Sequence, residues 1–229
     1  MSFVVKNTTR ISILDLLAPF TCRGCGRQGG LLCDRCKKHN IQTILEICPR
    51  CGKNHKKCSC EVPIYAVGER EGLLKHLVEE YKFGSIRAMS KILAEFVDAS
   101  LPEFANAEQV VVVPLPTISR HIRERGFDHT YLLAKNLAKY RKWKVIPLLA
   151  RKNNTVQVGT NRETRIAQAS RAYTINHKKK PNSLISSSDT TYILVDDIWT
   201  TGASMEAAIK VLQEAGAQKI IGSVALISK

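Results

Sequence analysis

The chain has 229 residues, 44% hydrophobic and 24% charged, enough apolar content for one ordinary domain and a small second one. Its formal net charge of +15 argues against an acidic ligand-repelling surface and favours polyanionic partners. No apolar run approaches the ~18 residues of a membrane span. Lys6, Arg10 and Asp15 break the first twenty residues where a signal peptide would need an apolar core, so a cytoplasmic protein is expected.

The segment Ile11 to Phe20 sets Ile13, Leu14, Leu16 and Leu17 at helical spacing. All eight cysteines follow, as Cys22-x-x-Cys25, Cys33-x-x-Cys36, Cys48-x-x-Cys51 and Cys58-x-Cys60. Close pairs of this kind aim sulfurs at one point and suit tetrahedral Zn²⁺ better than disulfides in a reducing compartment. Two structural zinc ions are expected, the first four cysteines on one and the last four on the other, with an interleaved pairing as the alternative. Residues 1–62 are therefore read as a cysteine-rich zinc module and 63–229 as a second domain.

Further along, Ile64 to Gly68 predicts a strand, Leu73 to Tyr81 and Ile86 to Val97 predict helices, and Val110 to Val113 predicts a buried strand ending at Pro114-Leu115-Pro116. Thr130 to Lys139 is helical in pattern, Val145 to Leu149 is strand-like around Pro147, and 151–165 is a polar, basic loop. Ala172 to Ile175 and Lys219 to Ile227 complete the strands. This alternation predicts an α/β domain, a mostly parallel sheet with helices on both faces.

Residues 192–204 carry the most chemistry. Tyr192 to Val195 is a buried-strand run, Asp196 and Asp197 end it, and Thr200, Thr201, Gly202, Ala203 and Ser204 lead into a helix from Met205 to Ala215. Carboxylates accept hydrogen bonds from a sugar diol, while loop N–H groups at a helix N-terminus hold a phosphate. Capping alone would account for the Thr and Asp residues singly, but not for strand, acid pair, Thr-Thr-Gly and helix in that order.

This run resembles the phosphoribosyl pyrophosphate (PRPP) motif of the type I phosphoribosyltransferases. The resemblance implies that Asp196 and Asp197 hold the ribose hydroxyls and that Thr200, Thr201, Gly202, Ala203 and Ser204 wrap the 5′-phosphate. A second cradle, for pyrophosphate, is then expected after the neighbouring strand, at Leu115, Thr117, Arg120 and Arg125, because arginine forks bind phosphate oxygens in pairs. Arg151, Lys152, Arg162 and Arg165 are expected to fold over it from the basic loop.

The order of cysteine module, Lys82-Phe83-Gly84, Pro114-x-Pro116, Arg125-Gly126-Phe127, Gln157, Arg162, Arg165 and PRPP motif is similar to the ComF (ComFC-type) competence proteins, from about residue 20 to the end. That family commonly has Asn-Gln where Asp128-His129 stands here. The resemblance implies a competence protein of natural transformation that handles single-stranded DNA in the cytosol, with a helicase-like ATPase as partner and PRPP or a phosphorylated nucleotide as ligand. The alternatives are an active phosphoribosyltransferase using Mg²⁺–PRPP, with Asp196 and Asp197 as the catalytic pair, and a PRPP-responsive nucleic-acid-binding regulator. Single-stranded DNA would require exposed aromatic platforms; Tyr81, Tyr131, Tyr140 and Trp143 are the candidates.

Overall fold

A computed structural model describes residues 20–40, 45–47, 53, 62–104, 109–152, 172–177 and 188–228. The chain divides into two units, residues 1–40 and 41–229. In the first, Thr21 bridges Gln28 antiparallel and a short helix, α1 (Asp34–Asn40), follows. Its first turn carries Asp34 and its last turn Lys37, Lys38 and His39, the charge order that complements a helix dipole.

The second unit is built on a six-stranded sheet. Its strands are β1 (Leu45–Ile47), β2 (Ile64–Glu69), β3 (Gln109–Pro114), β4 (Lys144–Val145), β7 (Thr190–Trp199) and β8 (Lys219–Ile227), in the order β1-β2-β8-β7-β3-β4. Only β1 runs antiparallel, on the edge of β2; the other neighbours are parallel. A separate antiparallel ribbon joins β5 (Leu149–Arg151) to β6 (Tyr173–Ile175). Pro147 lacks the N–H a ladder requires, and it separates β4 from β5 where the sequence suggested one strand.

The helices are α2 (Gly72–Lys82), α3 (Met89–Ser100), α4 (Ser119–Arg125), α5 (His129–Arg141) and α6 (Ala203–Glu214). Val111, Val113, Tyr192, Leu194 and Val224 share one apolar cluster with Met205, Ala208 and Leu212 of α6 and with Leu149 and Tyr173 of the ribbon. Alternate strand positions, Val110, Val112, Ile193 and Val195, are equally buried and serve the face where α3 and α5 pack. Both faces are covered, as the uninterrupted apolar runs of β3 and β7 require.

Three local readings change. The acids lie inside β7, which continues to Trp199, because β8 keeps pairing with it through Asp196, Ile198 and Trp199. On its other side the ladder with β3 ends at Pro114 and Val195, so the sheet opens there. The basic stretch 119–125, to which the sequence assigned no helix or strand, is the helix α4; it stops at Gly126, whose φ of +74° only glycine adopts freely. The second predicted helix starts at Met89 rather than Ile86, because Ser85 takes a φ of +54° just before it.

Candidate ligand-binding cleft

The chain leaves β3 toward β4 and leaves β7 toward β8, in opposite directions along the sheet. Between two such departures, at the carboxyl ends of parallel strands, an α/β sheet leaves a crevice. Here it is a cleft of about 580 Å³ bounded by the loop after β3, the start of α6, the end of α2 and the β5–β6 ribbon. A smaller recess of about 40 Å³ adjoins it, formed by the loop from Trp199 to Ser204 and closed by Asp196, Met205 and Val224.

The period-two geometry of β7 sends its adjacent acids to opposite faces. Asp197 goes to the α5 side and is 2% exposed. Lys82 Nζ lies 2.8 Å from Asp197 Oδ2, and His129 Nε2 lies 3.3 Å from the same oxygen. Neither approach has good hydrogen-bond alignment at Oδ2, so Lys82 acts on Asp197 chiefly through its charge. Burial alone would raise the Asp197 carboxyl, but His129 and Lys82 outweigh it and hold the group well below the usual carboxylate range.

Asp196 goes to the α6 side, half-buried in the cleft wall, where its Oδ1 accepts the Asp197 N–H at 2.9 Å. Burial first, and the charge of Asp197 second, push its carboxyl up to about 8. Two neighbouring acids thus have opposed environments, one a fixed anion and one ready to exchange a proton or meet a cation.

His129 connects this pair to α4. Arg125 NH1 lies 2.9 Å from His129 Nδ1, and a guanidinium can only donate. The same NH1 is 3.4 Å from Nε2, so the guanidinium sits at the ring edge that carries both nitrogens, with Nδ1 the nearer and Nε2 toward Asp197. The main-chain oxygen of His129 accepts the Tyr81 hydroxyl at 2.6 Å. Asp128 caps α5 by accepting the Tyr131 N–H at 3.1 Å and also accepts the Thr117 hydroxyl at 2.9 Å. Asn and Gln, the pair common at 128–129 in the resembling family, offer a cap and a donor–acceptor bridge of the same kind.

Residues 85–229, more than half the sequence, match the Phosphoribosyl transferase domain family. The chain belongs to that family. It is also similar to the Competence protein ComFC of Bacillus subtilis, with 25% identity over 86% of this chain and 83% of the relative. The Competence protein ComFC of Streptococcus pneumoniae is 24% identical over 82% and 84% of the respective chains. The Competence protein F of Haemophilus influenzae is 24% identical over 87% and 86%.

Within this phosphoribosyl transferase domain the cleft gathers Leu115, Thr117, Arg125, Arg151, Asp196, Asp197, Thr200 and Ser204. Thr201, Gly202 and Ala203 line the smaller recess, where Gly202 holds a left-handed φ of +79° and Thr201 Oγ1 accepts the Ala203 N–H at 3.4 Å. Arg120 stands apart from the cleft wall, exposed and paired with Glu124 at 2.7 Å. Lys152 is exposed beyond β5, its N–H donating to the Ala172 oxygen. Arg162, Arg165 and Gln157 fall outside the described residues. Sequence reasoning gave no role to Lys82, His129 or Tyr173; the Lys82-Phe83-Gly84 motif held the signal for the first. Of the aromatic candidates, Tyr81 is fully buried and offers no platform, while Tyr131 and Tyr140 are exposed. Trp143 packs edge-on to Phe104, with Arg141 over its ring.

In the first unit the sulfur atoms of Cys22, Cys25, Cys33 and Cys36 all lie within 4.8 Å of one another. Cys25 and Cys33 are 3.7 Å apart at sulfur, far beyond a disulfide bond. That spacing is about the edge of a tetrahedron with ~2.3 Å metal–sulfur bonds. Burial raises the Cys22 thiol, but the main chain of Cys33, Cys25 and Gly24 outweighs it and draws the thiol down to about 6; the Cys33 N–H donates to it at 3.3 Å. Cys36 is pushed up to about 12, first by its hydrogen bond with Cys33. The set could hold a metal ion. Cys48, Cys51, Cys58 and Cys60 lie outside the described residues. Among the described residues no helix is long and apolar enough to cross a membrane.

Proposed function

We propose that the cleft binds PRPP, or a nucleotide end of the same sugar-phosphate chemistry, and that the protein serves single-stranded DNA handling in natural transformation. The observation that carries this reading is the division of the acid pair over the cleft. Asp196, half-buried, lines the cleft where it would meet a ligand diol, while Asp197, paired with Lys82 and close to His129, fixes the strand beneath it. A sugar with its hydroxyls on Asp196 would put a 5′-phosphate in the recess of Thr200 to Ser204, at the N-terminus of the twelve-residue α6. Arg125 and Arg151, both lining the cleft, would supply positive charge for a pyrophosphate. When bound, Mg²⁺ would chelate pyrophosphate and ribose oxygens.

In this reading the four clustered cysteines hold a structural Zn²⁺, and Cys48, Cys51, Cys58 and Cys60 a second. The competence role is carried over from the ComFC and competence F relatives, and the net charge of +15 supports it. A helicase-like ATPase is the expected partner. The test is titration calorimetry of Mg²⁺–PRPP against wild type and Asp196→Asn, with pyrophosphate release followed in parallel. Saturable binding that Asp196→Asn removes is expected, and release on adding an acceptor would make the protein a transferase. Wild type that binds neither Mg²⁺–PRPP nor a 5′-phosphorylated oligonucleotide refutes the proposal.

A further inference from the structure

Phe83 is the most exposed large apolar side chain among the described residues, 72% in contact with solvent, yet it lines the cleft. A solitary exposed phenylalanine needs no explanation on an ordinary surface. This one is held in place by its neighbours. Lys82, the last residue of α2, is drawn inward to Asp197, so Phe83, a hundred degrees further round the helix, is turned away from it. Its own N–H still donates to the Glu79 oxygen and closes the helix.

The next two residues fix the exit. A Cβ on Gly84 would stand 2.8 Å from the Glu80 carbonyl oxygen, so the chain passes too close for any side chain. Ser85 then adopts a left-handed φ of +54° without being glycine. Such backbone costs about 1 kcal/mol or more and clusters at ligand clamps. Across the cleft mouth, the Arg125 guanidinium lies over the Phe83 ring, 5.7 Å from its centroid, while the same group reaches His129. Arg70, Lys82 and Arg151 add cations to the cleft lining, against the carboxylates of Glu124, Asp196 and Asp197.

A flat apolar ring beside phosphate-binding arginines matches one ligand chemistry, an unpaired nucleobase joined to a sugar phosphate. We propose that Phe83, backed by Arg125, is a stacking platform for the base of a single-stranded nucleic acid whose sugar-phosphate enters the cleft. This rests on the reading of the cleft as a sugar-phosphate site and adds the class of ligand at its mouth. Inside a duplex each base has both faces covered by its neighbours and only the terminal pair keeps one face free, so the platform favours single strands and does so without regard to sequence.

The test uses the full chain as wild type, Phe83→Ala and Phe83→Trp. Each is titrated with a 5′-phosphorylated oligothymidylate, with a duplex of equal length, and with Mg²⁺–PRPP. Because Phe83 is solvated, its replacement leaves the core intact, and circular dichroism verifies this. Phe83→Ala should weaken oligothymidylate binding about 5- to 150-fold, the loss of one base stack. Phe83→Trp should restore it, with the salt dependence unchanged because no charge is altered. The loss should be larger toward oligothymidylate than toward duplex or Mg²⁺–PRPP. Unchanged oligothymidylate affinity in Phe83→Ala, an equal loss toward duplex, or wild type that binds no oligothymidylate would each overturn the platform. Wild type that binds oligothymidylate through Phe83 but no PRPP would overturn the proposed PRPP site alone.

Discussion

Replacing Lys82 by methionine removes one charge and little volume from beside a buried carboxylate. Lys82 Nζ and Asp197 Oδ2 are 2.8 Å apart, with side-chain exposures of 16% and 3%. At an effective dielectric of about 20, that separation corresponds to roughly 6 kcal/mol of attraction. Desolvation of the two ions cancels much of it, so the intact pair is nearly neutral against an apolar pair. The variant, however, keeps the buried carboxylate and loses its nearest cation, with only His129 Nε2 left at 3.3 Å. We expect Lys82→Met to lose about 3 kcal/mol and to melt about 6–12 °C lower by calorimetry. Adding Asp197→Asn should recover most of that loss.

The pH dependence has a definite sign. In wild type the depressed Asp197 carboxyl contributes stability above the ordinary carboxylate range, and this is lost only as pH falls below that range. In Lys82→Met burial dominates and raises the same group. The variant's deficit should therefore be largest near pH 7 and shrink as the medium is acidified and Asp197 takes up its proton. Urea midpoints at several pH values read this directly. A Lys82→Met midpoint equal to wild type, or a pH-independent deficit that Asp197→Asn leaves unchanged, would refute the account of Lys82 as the partner that keeps Asp197 ionised.

Asp196→Asn should stabilise the fold by about 1–2 kcal/mol at pH 7 while removing ligand binding. The Asp196 carboxyl is raised to about 8, so the folded state takes up protons that the unfolded state does not, and wild-type stability falls between pH 4 and 8. The variant's advantage in denaturant midpoint should grow over that interval. Gly222→Ala should cost about 1–3 kcal/mol, because a Cβ there would lie 2.7 Å from Ile64 Cγ1 between β8 and β2; Ile64→Ala in the same chain should relieve the clash, read by thermal melting. Exhaustive chelation should abolish amide protection between Cys22 and Lys37 and leave that of β7 intact, measured by hydrogen exchange with mass spectrometry.

The sheet was legible because β3, β7 and β8 are apolar enough to be buried on both faces, and a continuous apolar run has few other folds available. The loop of Thr200 to Ser204 was legible for a related reason, its Thr-Thr-Gly standing where one buried strand meets one amphipathic helix. What escaped was cross-chain. Lys82 and His129 both meet Asp197, but they are 115 and 68 positions away in sequence, and no local pattern records that meeting. Helix α4 escaped because it buries no side chain and so has no apolar stripe to read. Phe83 escaped because an isolated aromatic beside a helical pattern reads as the end of that helix's core face.

The two acids therefore do different work, although the sequence presents them as a matched pair. Their difference follows from the pleat, which gives alternate residues of β7 to opposite faces. One face is closed by α5, whose His129 is contacted by Arg125, and there Asp197 is held charged by Lys82 and His129. The other opens into the cleft, where among the described residues the Asp197 N–H is the hydrogen-bond donor to Asp196. A carboxylate so placed gains most from an external cation or hydroxyl, because that partner supplies what burial withholds. The same His129–Arg125 contact extends from Asp197 to the guanidinium over Phe83, so the support of the acid pair and the aromatic rim of the cleft share one residue. Arg125→Met should disturb both at once, weakening PRPP and oligothymidylate binding together, whereas Phe83→Ala separates them.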